Sequence, residues 1–186
     1  RVRRQRQMCI RDSSYVAMRK DDKAGLVTFN EYFDTFVPAS KQVGQMQTLL
    51  ENLYKQETTF GETDFSALCG HLGKHVNKRS FLVLYTNFSN MTSLNRQLVY
   101  LQQLARQHRV LVVFFEDADL KEYIAGKSVT TEDYYRHVIA EKFAFEKRLI
   151  VSTLKQHGIY SLLTTPDKLS IDVINKYLEM KSRQLL

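Results

Sequence analysis

The amino-acid sequence predicts an α/β protein in which helices cover both faces of a mostly parallel sheet. Two apolar runs, FLVLYT (81–86) and RVLVVFF (109–115), are continuous rather than alternating, which is typical of strands buried on both faces. Segments with apolar residues at helical spacing lie between and around these runs. Strands that alternate with helices of this length indicate right-handed crossovers and a doubly wound, three-layer sheet.

Three further segments complete the predicted strands. LVTF (26–29) is a short apolar run, and YFDTFVP (32–38) follows it so closely that we expect an antiparallel or edge partner, closed by Pro38. IYSLLTT (159–165) comes directly after Gly158. Because a glycine that follows basic residues is a common helix stop, we expect a helix to end there and a strand to begin.

Five apolar stripes at helical spacing predict the helices. The fourth of these helices has a weak capping box, with Thr130 at its start and Asp133 three residues later. The stripes are Val43, Met46, Leu49, Leu50, Leu53 and Tyr54; Phe65, Leu68, Leu72 and Val76; Leu94, Leu98, Leu101, Leu104 and Ala105; Tyr135, Ile139, Phe143, Ile150 and Leu154; and Ile171, Ile174, Tyr177 and Leu178.

The first thirteen residues, RVRRQRQMCIRDS, require a separate interpretation. Their five arginines resemble a basic arm that grips phosphates. Codons that encode residues 3–12 nevertheless reproduce, in one frame, the adapter and mosaic end of transposon-based sequencing libraries. We therefore expect residues 1–13 to be a translated sequencing-adapter artefact that is disordered, and residues 14–186 to be the C-terminal part of the natural domain.

Excluding that segment changes what the charge implies. The formal net charge is +7, of which +4 lies in residues 1–13 and +3 in the other 173 residues. A nucleic-acid partner requires basic residues clustered on one face, so we expect none. Without Cys9, Cys69 has no partner for an intrachain disulfide, which favours a reducing compartment. No apolar run reaches the roughly 18 residues of a membrane span, and we expect no membrane contact by this part of the chain.

Six segments together resemble one bacterial family. They are DDKAGLVTF (21–29), FVPAS (36–40), GETDFSAL (61–68), FLVLYTN (81–87), RVLVVFFED (109–117) and INKYLEMK (174–181). The same segments occur in the same order in the domain-of-unknown-function family fifty-eight, whose members carry a von Willebrand factor A-like domain. The resemblance runs from about Ser14 to the C-terminus and implies a Rossmann-like sheet with strand order 3-2-1-4-5-6. We expect this chain to lack the first, central strand, whose neighbours would be residues 24–29 and 81–86.

The resemblance also implies a metal-ion-dependent adhesion site at the carboxyl edge of the parallel strands, the usual ligand position in open α/β sheets. Its first half, Asp-x-Ser-x-Ser, does not occur in the sequence, and DSS (12–14) lacks the spacing. Thr63 stands where the threonine of the site belongs, and Asn87 stands where its aspartate would be. Because Asn87 removes one negative charge, we expect Thr63 and Asn87 to be a residual half-site without metal, and Mg²⁺ only in a full-length parent.

Two other groups of residues could hold a metal. Glu116, Asp117 and Asp119 follow a strand end, where an α/β nuclease binds Mg²⁺, although capping a helix is a commoner role for such carboxylates. His71 and His75 have the i, i+4 spacing of zinc ligands on one helix face, but no third ligand is evident. A solvated helix flank is the simpler interpretation of this pair.

Three single residues are explained without catalysis. His108 and His157 lie at predicted helix ends, where a cation suits the helix dipole. Cys69 falls on the apolar stripe of its helix, which predicts a buried thiol rather than a nucleophile.

The segment EDYYRHVIAEKFAFEKR (132–148) carries four aromatic residues that cannot share one side of a helix. A helix packed on two sides is one interpretation, and a partner-binding face is the other. The residues are Tyr134, Tyr135, Phe143 and Phe145.

These observations predict a non-enzymatic protein-interaction module. No GxGxxG follows a strand and no GxSxG elbow occurs, which disfavours dinucleotide binding and α/β-hydrolase chemistry. The family resemblance implies work with a MoxR-type AAA+ ATPase in complex assembly or maturation, with this domain in the cytoplasm and the parent anchored in the inner membrane. The alternative is a metal-dependent hydrolase or nuclease that uses Glu116, Asp117 and Asp119.

Overall fold

The structure is a computed structural model in which the chain divides into two compact units, each described below by itself. The first unit comprises Arg1–Arg79 and Asp167–Leu186, and the second comprises Ser80–Pro166. The residues that the structure describes are 2–30, 33–56, 63–88, 90–115 and 131–186.

From β3 onward the described elements alternate between strands and helices, as the apolar pattern predicts. In chain order they are α1 (Val2–Arg19), β1 (Ala24–Phe29), β2 (Phe33–Ser40), α2 (Gln45–Lys55), α3 (Phe65–His75), β3 (Phe81–Tyr85), α4 (Met91–Gln107), β4 (Arg109–Phe115), α5 (Thr131–Gln156), β5 (Tyr160–Thr164) and α6 (Leu169–Ser182).

The first unit is built around the β1–β2 pair, which is antiparallel as predicted. Leu26 of β1 and Val37 of β2 are buried with Leu49 and Leu53 of α2 in one hydrophobic cluster. A Cβ atom at Gly25 would lie 2.8 Å from the backbone oxygen of Val37, so the close approach of the two strands requires glycine there.

The described start of the chain is helical, because α1 begins at Val2 and covers residues 2–13 of the segment assigned to adapter. Cys9 is fully buried, Ile10 packs against the cluster of β1, β2 and α2, and Gln7 donates a 2.7 Å hydrogen bond to the Leu53 carbonyl. Arginine, glutamine and methionine are good helix formers, and composition alone does not reveal such packing. The adapter origin of residues 1–13 stays a prediction.

A polar cluster joins α6 to the turn between α1 and β1. The hydroxyl of Tyr177 donates to Asp22 Oδ2, and Lys181 Nζ lies 2.6 Å from the same oxygen and 2.8 Å from the Lys20 carbonyl oxygen. Tyr177 is buried, and burial together with this hydrogen bond raises the pKa of its hydroxyl, so the group is a donor at neutral pH.

Tyr177→Phe is expected to lower the free energy of unfolding by about 1–2 kcal/mol, because a buried hydrogen bond to a carboxylate is lost while Lys181 still pairs with Asp22. Urea unfolding followed by circular dichroism measures this difference. Asn175→Ala, at an exposed position of the same helix, is the control and is expected to stay within about 0.5 kcal/mol of the parent. Equal stability of Tyr177→Phe and the parent would contradict this role.

The second unit contains a parallel sheet in the order β3-β4-β5, which confirms the α/β prediction. β4 is the middle strand, and its residues 110–114 are all buried, so both of its faces are covered. α4 packs against β4, and α5 packs against β5 and α4. The described strands form two separate sheets, because β1 pairs with β2 and no described strand hydrogen-bonds to both β1 and β3, which is the place of the central strand that the chain is expected to lack.

The end of α5 agrees with the sequence prediction, whereas two residues of the first predicted stripe are exposed. α5 ends at Gln156, and Gly158 follows in the left-handed conformation with φ of 72°, as expected of a helix stop. Val43 and Tyr54 are exposed instead of buried, since α2 begins only at Gln45 and Tyr54 lies in its last turn. The predicted capping residue Thr130 lies outside the described residues. Within the described part of the chain, no helix has the length and apolarity that crossing a bilayer requires.

Candidate functional site

The two residues of the predicted half-site lie in different units. Thr63 is exposed and precedes Asp64, which caps α3 by accepting hydrogen bonds from the amides of Ser66 and Ala67. Asn87 is exposed in the second unit, two residues after β3 ends at Tyr85. Thr63 belongs to the first unit and Asn87 to the second, and the two units are described separately. The pairing of Thr63 with Asn87 therefore stays a prediction. Glu116, Asp117 and Asp119 lie outside the described residues.

The side chain of Asn87 is engaged by a lysine that sequence reasoning missed. Lys147 Nζ lies 2.8 Å from Asn87 Oδ1 and 2.6 Å from the Phe88 carbonyl oxygen, and donates a hydrogen bond to each. The same nitrogen lies 5.7 Å from the centroid of the Phe114 ring, within the range of a cation–π contact. Burial lowers the pKa of Lys147, while the two oxygen acceptors and the ring favour the charged form.

Helical spacing contains the signal that could have identified Lys147. It lies seven residues after Ala140, three residues before Ile150 and seven residues before Leu154. All three of these residues are buried. A lysine at this position of the helix must turn its stem toward the sheet and find acceptors for its ammonium group.

The residues present do not fit a divalent cation at Asn87. The ammonium group of Lys147 lies 2.8 Å from Asn87 Oδ1, and its positive charge would repel a divalent ion bound to the same oxygen. The described residues also contain no group of three histidine, cysteine, aspartate or glutamate side chains that could hold a metal ion. A metal bound to Asn87 Oδ1 would therefore have to displace the ammonium group of Lys147.

The two histidines of α3 stack on each other rather than converge on a common point. Their ring centroids are 4.8 Å apart with an interplanar angle of 16°, and His75 Nδ1 lies 2.9 Å from the His71 carbonyl oxygen. Burial, together with the charges of His75 and Lys74, lowers the pKa of His71. A third metal ligand is missing from the described residues around them, so the pair has the character of a helix flank.

Cys69 is buried in α3, as its place on the apolar stripe predicts. Burial and the nearby charge of Asp64 raise the pKa of the thiol to about 11. The thiolate form that acts as a nucleophile is therefore scarce at neutral pH.

His108 caps the C-terminus of α4, but the explanation through the helix dipole is wrong for it. The residue is buried, and burial lowers the pKa of its imidazole, so the neutral form is favoured. Its Nδ1 accepts a hydrogen bond from the amide of Ser80 at 3.3 Å, and Nε2 has no hydrogen-bond partner among the described residues. His157 is exposed beyond the end of α5 and contacts Gln102.

The low pKa of His108 predicts a loss of stability in acid. In the unfolded chain this histidine takes up a proton near its ordinary pKa of 6.5, whereas in the folded protein it does so only at lower pH. Its contribution to stability is therefore complete above pH 6.5 and is lost as the pH falls below that value. Urea unfolding at about pH 7.5 and about pH 5 measures the loss.

His108→Asn is the comparison variant, because the asparagine oxygen can still accept from the Ser80 amide but carries no titratable group. We expect a smaller difference between the two pH values for His108→Asn than for the parent. An identical pH dependence of the two proteins would show that His108 does not contribute.

An apolar surface on α5 is the largest group of exposed hydrophobic side chains on any described helix. Four of its residues, here called the outer face, are Tyr134, Val138, Phe145 and Leu149. They follow one another at four, seven and four residues and so lie on one side of the helix, opposite the buried Ala140, Ile150 and Leu154. Phe145 is 62% exposed and Val138 is 45% exposed.

The first half of α5 exposes a second apolar row of Tyr135, Ile139 and Phe143. This row belongs to the stripe that continues into the buried Ile150 and Leu154. The described structure therefore covers only the second half of the predicted stripe. The interpretation of a helix packed on two sides does not describe the outer face, whose side chains are exposed.

Comparison with known proteins identifies one family. The model of the family described as "Protein of unknown function DUF58" matches residues 10–130, well over half of the chain. The match contains β1 to β4 and Asn87, and it ends just before α5. No curated protein and no solved structure matches the chain.

Proposed function

Because the chain belongs to the family described as protein of unknown function DUF58, we propose that it is a non-enzymatic protein-interaction module of the von Willebrand factor A type. The strand pattern supports this type of fold. The parallel order β3-β4-β5 corresponds to strands 4-5-6 of the order 3-2-1-4-5-6, and the antiparallel pair β1–β2 corresponds to strands 2 and 3. The first strand of that order would hydrogen-bond to both β1 and β3, and it is the strand that the described elements do not supply.

The single observation that carries the proposed function is the outer face of α5. Proteins rarely expose contiguous apolar side chains unless these bind something. Two aromatic and two aliphatic residues at helical spacing provide the anchors that a protein partner buries, each worth about 1.5–3 kcal/mol when fully removed from water.

The charges beside the outer face suit a protein partner better than a nucleic acid. Glu141, Lys142, Glu146 and Arg148 are interspersed with the apolar residues and carry both signs. An apolar centre with a mixed polar rim is the usual anatomy of a protein–protein interface, whereas binding to phosphates requires clustered positive charge.

We propose a MoxR-type AAA+ ATPase as the partner, acting with this domain in the cytoplasm during complex assembly or maturation. The support for this choice is the family membership, combined with a surface that has the chemistry of a protein contact. In this arrangement the domain contributes recognition, and the ATPase contributes the energy of ATP hydrolysis.

The double variant Val138→Glu/Phe145→Glu is expected to weaken binding to a purified MoxR-type ATPase from the same organism at least about tenfold, which corresponds to about 1.4 kcal/mol. Two carboxylates would have to be desolvated at the centre of the contact without partners. Biolayer interferometry with the full chain immobilised measures the affinity.

Val99→Glu is the matched control, because Val99 is also an exposed valine in the second unit, 66% exposed, but lies on α4. It receives one of the two carboxylates that the double variant receives, and it is expected to bind like the parent. Equal weakening by Val99→Glu would point to a general charge effect, and unchanged binding by the double variant would remove the outer face from the proposed contact.

A further inference from the structure

The ammonium group of Lys147 occupies a site that resembles the coordination sphere of a small cation. Two oxygen atoms, one from the Asn87 amide and one from the Phe88 carbonyl, lie within 2.8 Å of it, and the face of the Phe114 ring lies nearby. The nitrogen belongs to α5, and its contacts come from the segment after β3 and from β4, so three parts of one unit meet at this point.

This site lies at the carboxyl edge of the parallel sheet. The amide of Thr86 still donates to the Val113 carbonyl at 3.0 Å, so the ladder between β3 and β4 continues to within one residue of Asn87. Ligands of open α/β sheets bind at this edge. It is also where the family resemblance implies an aspartate that binds a divalent cation.

At position 87 alone, the charge is the same in the two arrangements. An aspartate with a divalent cation carries a net charge of +1, and Asn87 with the ammonium group of Lys147 carries +1 as well. The neutral residue at position 87 and the lysine at position 147 therefore compensate each other.

We propose that the ammonium group of Lys147 takes the place of the divalent cation at this edge of the sheet, as a cation built into the chain. Position 87 then needs an oxygen acceptor but not a carboxylate. A divalent ion is kept out because Lys147 holds the oxygen atoms it would need and repels it at short range. The proposal concerns the second unit alone and does not depend on the identity of a partner.

The test compares Asn87→Asp with the double variant Asn87→Asp/Lys147→Met, using Mn²⁺ alone as the probe and the full chain throughout. The electron paramagnetic resonance signal of free Mn²⁺ gives the affinity, and paramagnetic broadening of the Thr86 and Asn87 backbone amide signals in NMR spectra gives the location. We expect the double variant to bind Mn²⁺ at residue 87 at least about tenfold more tightly than the single variant, because in the latter the new carboxylate pairs with Lys147.

The parent chain is expected to show no binding of Mn²⁺ at Asn87. Binding there by the parent, equal affinity of the single and double variants, or no binding by the double variant would each overturn the proposal. Circular dichroism checks that each variant is folded. If Lys147→Met unfolds the second unit, Lys147→Gln replaces it, because glutamine is neutral and can still donate to the Phe88 carbonyl. The Mn²⁺ result and the interferometry result on the outer face can fail independently of each other.

Discussion

Burial of β4 on both faces is the constraint on which the second unit depends. Residues 110–114 are five consecutive buried apolar positions, and such a run is stable only if a partner strand lies on each side and a helix covers each face. Its parallel pairing with β3 and β5 brings the strand ends to one edge. The position of Asn87 beside Lys147 and Phe114 follows from that arrangement rather than from any local preference of the loop.

The strands and most of the helices could be predicted because their apolar pattern is strong and local. Continuous runs gave β3 and β4, alternation of strands with helices gave the α/β class, and Gly158 marked the end of α5. The apolar pattern does not show the division into two sheets, because strand pairing depends on which edges are free, and that is a non-local property. Only the family resemblance pointed to it, through the central strand that is expected to be missing. The helical start of the chain was not predicted because residues 1–13 were assigned to an adapter and left out of the fold, while the packing of Cys9 and Ile10 is visible only in the structure.

The site was predicted only in part, and the reason is again the distance between residues in sequence. The family resemblance pointed to Asn87, but Lys147, which contacts it, is 60 residues away on another element. A lysine amid the buried positions of α5 was visible in the sequence, yet its acceptors were not. The exposure of the outer face of α5 could not be predicted either. Helical periodicity shows that residues share one side of a helix, but it does not show whether that side packs on the protein's own core or binds a partner.

The two features of α5 are connected through the direction of its side chains. One side of the helix carries Ala140, Ile150 and Leu154 into the core and places Lys147 against the edge of the sheet, and this fixes the rotation of the helix. With the rotation fixed, Val138 and Phe145 must point away from the core whatever their hydrophobicity. Their exposure therefore follows from the same packing that brings the ammonium group to Asn87. An alternative rotation that buried the outer face would withdraw Lys147 from its two oxygen acceptors and expose Ile150 and Leu154. One orientation of α5 therefore accounts both for the contact of Lys147 with Asn87 and for the exposure of the outer face.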